Sequence, residues 1–125
     1  MCLKTKLIKL SFENINLPTS RYKHFTYIVR RNRILSCGCN SATKTHPLTQ
    51  KHGYKYPFIH SEIDAISKFP HKISLLCKCD VYNVRVNKKG LVFLAKPCSF
   101  CNMMLRSFKP RSIWYTTSEG EFSNE

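Results

Sequence analysis

The strongest constraint in this chain is a set of three metal-binding side chains at two separate helix starts. Around the first, Ile59, Ile63 and Ile66 recur at i, i+4 and i+7 until Pro70 stops the pattern, and the start reads His60-Ser61-Glu62. Around the second, Pro97 sits where a helix opens, and Phe100, Met103, Met104 and Phe108 give an apolar face that ends at Pro110. Its start reads Pro97-Cys98-Ser99-Phe100-Cys101. One imidazole and two thiolates are good zinc ligands, and three protein ligands leave the fourth tetrahedral position to water, the pattern of a catalytic site. Cys98 and Cys101 stand at i and i+3 on one helical turn, so both sulfurs face one point, and a helix N-terminus favours the thiolate that zinc requires. Glu62, two residues past His60, is aimed differently from the ligand and is placed to act as general acid and base. A fold must therefore bring two helix N-termini to one place.

The rest of the chain predicts how. Lys6 to Asn16 carries a helical stripe of Leu7, Ile8, Leu10, Phe12 and Ile15 that Leu17-Pro18 ends. His24 to Arg30 and Arg33 to Cys39 read as a β-hairpin turning at Arg31-Asn32. Asn40 to Tyr56 reads as a long polar loop, and loops of that length in small domains are usually functional. Leu75 to Val86 reads as a strand in which Tyr82, Val84 and Val86 alternate with Asn83 and Arg85. A turn at Asn87-Lys88-Lys89-Gly90, an extended run Leu91 to Ala95 and a last strand Ile113 to Thr116 follow. From Ser118 the chain is acidic and reads as a loose tail. This order predicts an α/β fold in which both helix starts reach one edge of a mixed sheet.

The pairing of H-x-E with P-C-x-x-C resembles the zinc-dependent cytidine and deoxycytidylate deaminase superfamily. The hairpin closing in Gly38-Cys39-Asn40, with a long loop running to His60, is similar to the opening hairpin of tRNA adenosine and deoxycytidylate deaminases. Lys96-Pro97-Cys98 and Ile113-Trp114-Tyr115-Thr116 resemble deoxycytidylate-deaminase-like proteins of phages and viruses. The resemblance runs from the first helix to about Tyr115. It implies a three-layer cytidine-deaminase-like fold, with helices on both faces of the mixed sheet and a short C-terminus that leaves a sheet edge for a homo-oligomer to cover. It also implies one catalytic Zn2+ on His60, Cys98 and Cys101, water activated by that metal, and Glu62 moving protons between water, ring nitrogen and departing ammonia. Asn40 matches an Asn that hydrogen-bonds the nucleoside in those families, although Asn also caps turns. Ser61 stands where Ala is usual. Ser61, Pro97 and Asp64 border the ligands, and His46 and Tyr56 lie in the long loop, so these join Asn40 as candidate substrate-binding residues. Asp64 is equally explained by first-turn charge compensation. The loop aromatics Tyr54, Tyr56 and Phe58, with Lys51 and Lys55 between them, either stack a base or pack on the core.

The substrate class is narrowed by charge. With 21 Lys+Arg against 7 Asp+Glu, the 125 residues carry +14, and three of the acids, Glu119, Glu121 and Glu125, fall in the tail. Such a surface favours anionic ligands. A deoxycytidylate-like nucleotide or nucleoside is the favoured substrate. A cytosine or adenine within single-stranded DNA or RNA is the alternative, and a zinc-stabilised nucleic-acid-binding module without catalysis is a third reading that Glu62 argues against. The 7 Cys are odd in number and follow no secretory signal, so free thiols in a cytoplasmic protein are expected rather than disulfides. Cys37, Cys39, Cys77 and Cys79 form two C-x-C pairs, too tightly spaced for the usual second zinc site. No run of about 20 apolar residues suggests a membrane span.

Overall fold

In the computed structural model, which describes residues 2–15, 22–40 and 60–124, the hairpin forms the spine of the sheet. Strands β1 (Lys23–Arg30) and β2 (Arg33–Cys39) are antiparallel, with Arg30 opposite Arg33. Arg31 and Asn32 both take positive φ, 50° and 62°, the left-handed pair that a two-residue hairpin turn of matching twist demands. Strand β3 (Asp80–Val86) lies antiparallel to β1 with Thr26 opposite Asn83 and His24 opposite Arg85. Beyond it come β5 (Ser112–Thr116), parallel to β3, and β6 (Phe122–Asn124), antiparallel to β5. The order is β2-β1-β3-β5-β6, with the two-residue β4 (Val92–Phe93) paired to the end of β3.

Helices cover both faces, as expected. Helix α1 (Leu3–Glu13) buries Leu7 among Phe25, Tyr27, Val29, Tyr82, Val84 and Val86, and its Ser11 hydroxyl meets the Tyr27 hydroxyl at 2.8 Å. The opposite face carries α2 (Ser61–Ser67) and α3 (Ser99–Ser107), whose Ile63, Ile66, Met104 and Leu105 close over Ile28, Val81 and Ile113. This is a three-layer α/β arrangement with a mixed, six-stranded sheet. Among the described residues, no helix is long and apolar enough to cross a membrane.

Four elements differ from expectation. The first helix begins and ends about one turn earlier than Lys6 to Asn16. Leu75 to Val86 is not one strand: Ile73–Lys78 is a 3-10 helix, because the chain must drop from the end of α2 to the middle of the sheet, and that turn buries Leu76 and Cys79 where a strand would have exposed one of them. Of Leu91 to Ala95 only Val92–Phe93 pairs, leaving Leu91 and Leu94 exposed. The tail expected to be loose after Ser118 instead turns back through Gly120, at φ 80°, and β6 seats Phe122 edge-on against Tyr82 at 5.5 Å. Residues 122–124 thus join the sheet, and Glu119 and Glu121 stand on the hairpin between β5 and β6.

Candidate active site

His60 is the residue before α2, extended at φ −85° and ψ 155°, and it spends no side-chain atom on capping the helix. Cys98 holds the equivalent position before α3, so the helix opens at Ser99 and Pro97 lies two residues outside its first position. The Cys98 sulfur accepts a hydrogen bond from the Cys101 backbone N–H at 3.4 Å, which folds the two thiols toward one side. The imidazole Nδ1 of His60 then stands 3.4 Å from Cys101 Sγ and 3.8 Å from Cys98 Sγ. Among the described residues, His60, Cys98 and Cys101 form a group that could hold a metal ion. A tetrahedral zinc with ordinary Zn–S and Zn–N lengths separates its nitrogen and sulfur ligands by about 3.6 Å, which the two observed distances bracket. The donor set fits zinc in chemistry and in spacing.

The electrostatics suit the same role. Hydrogen bonding to Cys101 and His60 holds the Cys98 thiol down at about 4, against the desolvation that opposes it. Its contact with Cys98 raises the His60 imidazole above its usual value. Zinc ligands must be deprotonated, so metal binding at this group releases protons.

Glu62 follows on the first turn of α2 and is 6% exposed. Burial pushes its carboxyl above the ordinary carboxylate range. Ser61 donates to Glu62 Oε1 at 2.9 Å and meets Thr26 Oγ1 at 2.8 Å. Thr26 donates to Asn83 Oδ1 at 2.8 Å, and Asn83 Nδ2 donates to the Trp114 carbonyl at 3.1 Å. A buried polar chain therefore ties the carboxylate across β1 and β3 to the backbone of β5. Thr26 and Asn83 are absent from the sequence-derived candidates because the alternation on β3 reads as one apolar and one solvent face. A central strand covered on both sides has no solvent face, and a polar residue there must find a partner.

The other candidates divide. Asn40 accepts from the His24 backbone N–H through Oδ1 at 3.0 Å and takes Lys23 Nζ on its carbonyl at 3.1 Å, so it closes the hairpin beside the site. Asp64 Oδ2 receives the Cys39 N–H and Lys68 Nζ, both at 2.9 Å, which binds α2 to β2 rather than to the site. Pro97 is buried next to Cys98. His46 and Tyr56, with the rest of the long loop, lie outside the described residues. Cys37, Cys39, Cys77 and Cys79 do not converge: Cys77 sits exposed on the 3-10 helix while Cys79 is buried, so that pair shares no strand face.

No protein-family model and no curated protein matches the chain. Among solved structures it is similar to cytidine deaminase from Mycobacterium leprae, at 16% identity and a TM-score of 0.49 over 97% of this chain and 88% of that one. It is also similar to a Glu-to-Gln mutant of cytidine deaminase from Mycobacterium tuberculosis, at 13% identity and a TM-score of 0.47 over 90% and 80%.

Proposed function

We propose that the protein is a zinc-dependent hydrolytic deaminase that converts the cytosine base of a nucleotide or nucleoside, a deoxycytidylate-like compound being favoured, to uracil with release of ammonia. The observation that carries this reading is a buried, non-ligand carboxylate, Glu62, one residue from a helix start where an imidazole and two thiols meet at tetrahedral spacing. A purely structural metal site has no use for such a group.

Zinc held by His60, Cys98 and Cys101 supplies a water of lowered pKa and so a nucleophile at neutral pH. Burial raises the affinity of the Glu62 carboxyl for a proton, which suits it to accept and return one. It takes one proton from the attacking water and passes it to the ring nitrogen, then takes the second from the hydroxyl newly formed on the base and delivers it to the amino group as the carbon–nitrogen bond breaks. Ser61 holds one carboxylate oxygen in place.

Purified zinc-loaded protein incubated with deoxycytidine monophosphate, cytidine, adenosine, and single-stranded DNA and RNA, scored by mass for exchange of an amine for a carbonyl, tests the reading. Conversion of the cytosine mononucleotide is the expected outcome. Glu62→Gln should bind zinc at the wild-type stoichiometry and deaminate nothing; appreciable turnover by that variant removes Glu62 from the role. A wild-type protein that binds zinc and oligonucleotide yet converts no base would be a binding module instead.

A further inference from the structure

Beyond the relay to Glu62, the same face of the two central strands carries a cation, Arg85, whose Nε finds no hydrogen-bond partner among the described residues. On β1 and β3 the residues facing α2 and α3 are Ile28 with Val81, then Thr26 with Asn83, then His24 with Arg85. Helix α2 begins at the level of Thr26, where Ser61 makes its contact, so the His24 and Arg85 pair lies past the helix start, in front of the metal-binding group. Arg85 is packed flat, its guanidinium carbon 4.4 Å from the Tyr22 ring centroid and 5.9 Å from that of Phe93. Tyr22 and Phe93 are themselves edge to face at 4.9 Å, so the guanidinium sits in an aromatic corner that fixes its direction.

Arg85 Nε is nonetheless buried without a hydrogen-bond partner. Buried charged donors left unmet are costly, by about 1–3 kcal/mol or more. Among the described residues no ion pair reaches it: Asp80 pairs with Arg111, Asp64 with Lys68, Glu13 with Lys9, Glu62 is held by Ser61, and Glu119 and Glu121 lie on the β5–β6 hairpin. His24 beside it cannot serve as a counter-ion, and burial and Arg85 lower its pKa to about 4, so it adds no second positive charge there. Nothing among the described residues supplies the missing partner, and a guanidinium without a counter-ion selects a full anion over a neutral carbonyl. Arg85 stands one same-face step, about 7 Å along the strand, beyond Asn83. That is the scale separating the ring of a nucleotide from its 5′-phosphate.

We infer that Arg85, oriented by Tyr22 and Phe93, is the phosphate anchor of the site and makes a 5′-phosphorylated cytosine mononucleotide the preferred substrate over the free nucleoside. The inference rests on the deaminase reading above for the identity of the base, though not for the presence of an anion site.

The test compares wild-type, Arg85→Met and Arg85→Lys, all zinc-loaded, on deoxycytidine monophosphate, deoxycytidine and a single-stranded oligodeoxynucleotide. Methionine keeps the apolar stem against the two rings, and lysine keeps the charge should methionine fail to fold. The expected result is that Arg85→Met lowers the ratio of kcat/KM for nucleotide over nucleoside at least about tenfold, mostly through KM, and that Arg85→Lys retains part of it. An unchanged ratio, an equal loss on both substrates, or a loss confined to the oligonucleotide would overturn the assignment. Calorimetric titration with inorganic phosphate separates this failure from that of the deaminase reading. If the wild-type protein deaminates nothing, phosphate binding that disappears in Arg85→Met still supports the anion site, and equal binding by both proteins overturns it.

Discussion

At the scale of single residues, the site is defined by where protons can go. Thr26 has one hydroxyl proton, and the fixed amide of Asn83, oriented by the Trp114 carbonyl, takes it. Ser61 also has one, and faces both Thr26 and Glu62. When Glu62 is ionised, Ser61 donates to it; when Glu62 carries a proton it can donate to Ser61, which then turns to Thr26. The chain thus holds the carboxyl in one place through both of its charge states, which is what a group that accepts and returns protons needs. Thr26→Val keeps the shape and removes the hydroxyl, leaving Asn83 Oδ1 buried without a donor at a cost of about 1–3 kcal/mol in stability. We expect kcat to fall about tenfold, equivalent to about 1.4 kcal/mol of barrier, with KM little changed and Thr26→Ser restoring most of the rate. Steady-state kinetics on deoxycytidine monophosphate beside a thermal melt checks it, because a lower melting temperature with wild-type kcat would reduce Thr26 to a folding role.

At the scale of elements, everything depends on how closely α2 lies on β2. Ser36 Oγ donates to the Ala65 carbonyl at 2.7 Å, and the Cys39 N–H reaches Asp64. Between them, a Cβ at Gly38 would run into the backbone of Ala65 and Ser61. That close approach sets the height of the helix start carrying His60, Ser61 and Glu62. Gly38→Ala should cost about 1–3 kcal/mol by overpacking against backbone that cannot yield. The expected signs are a melting temperature lowered by at least about 5 °C and weaker zinc binding, read by calorimetry and by competition with a chromogenic chelator. A variant with wild-type values for both would mean that α2 slides freely on β2. The convergence of His60, Cys98 and Cys101, with Glu62 beside it, was legible because each lies at a local signal, a helix start with its own period and stop. Gly38 carried no such signal, since its constraint comes from a helix more than twenty residues later. The same holds for the 3-10 helix before β3 and for β6: Leu76 and Phe122 find their places only against partners from other strands and helices, and a short window of sequence contains neither partner.

For the molecule as a whole, the +14 charge takes on a different meaning once the acids are located. The ion pairs among the described residues, Lys9 with Glu13, Lys68 with Asp64 and Arg111 with Asp80, each have a basic partner more than half exposed, and such pairs contribute about 0–1 kcal/mol. Lys23, only 6% exposed, answers a backbone carbonyl rather than a carboxylate. Folding therefore gathers positive charge around few counter-charges, and the native state bears a self-repulsion that the expanded chain relieves. Screening should stabilise it. Between about 10 and 100 mM salt the Debye length falls from about 30 to about 10 Å. We expect the melting temperature of the zinc-loaded protein to rise by several degrees over that range in sodium chloride, and to rise further in phosphate at equal ionic strength, because phosphate adds binding at Arg85 to the screening that both salts supply. Thermal melts of wild-type and Arg85→Met in the two salts separate the contributions: the chloride effect should survive the substitution and the excess in phosphate should not. A melting temperature indifferent to chloride would mean that the cations are already far enough apart in the folded chain to ignore one another.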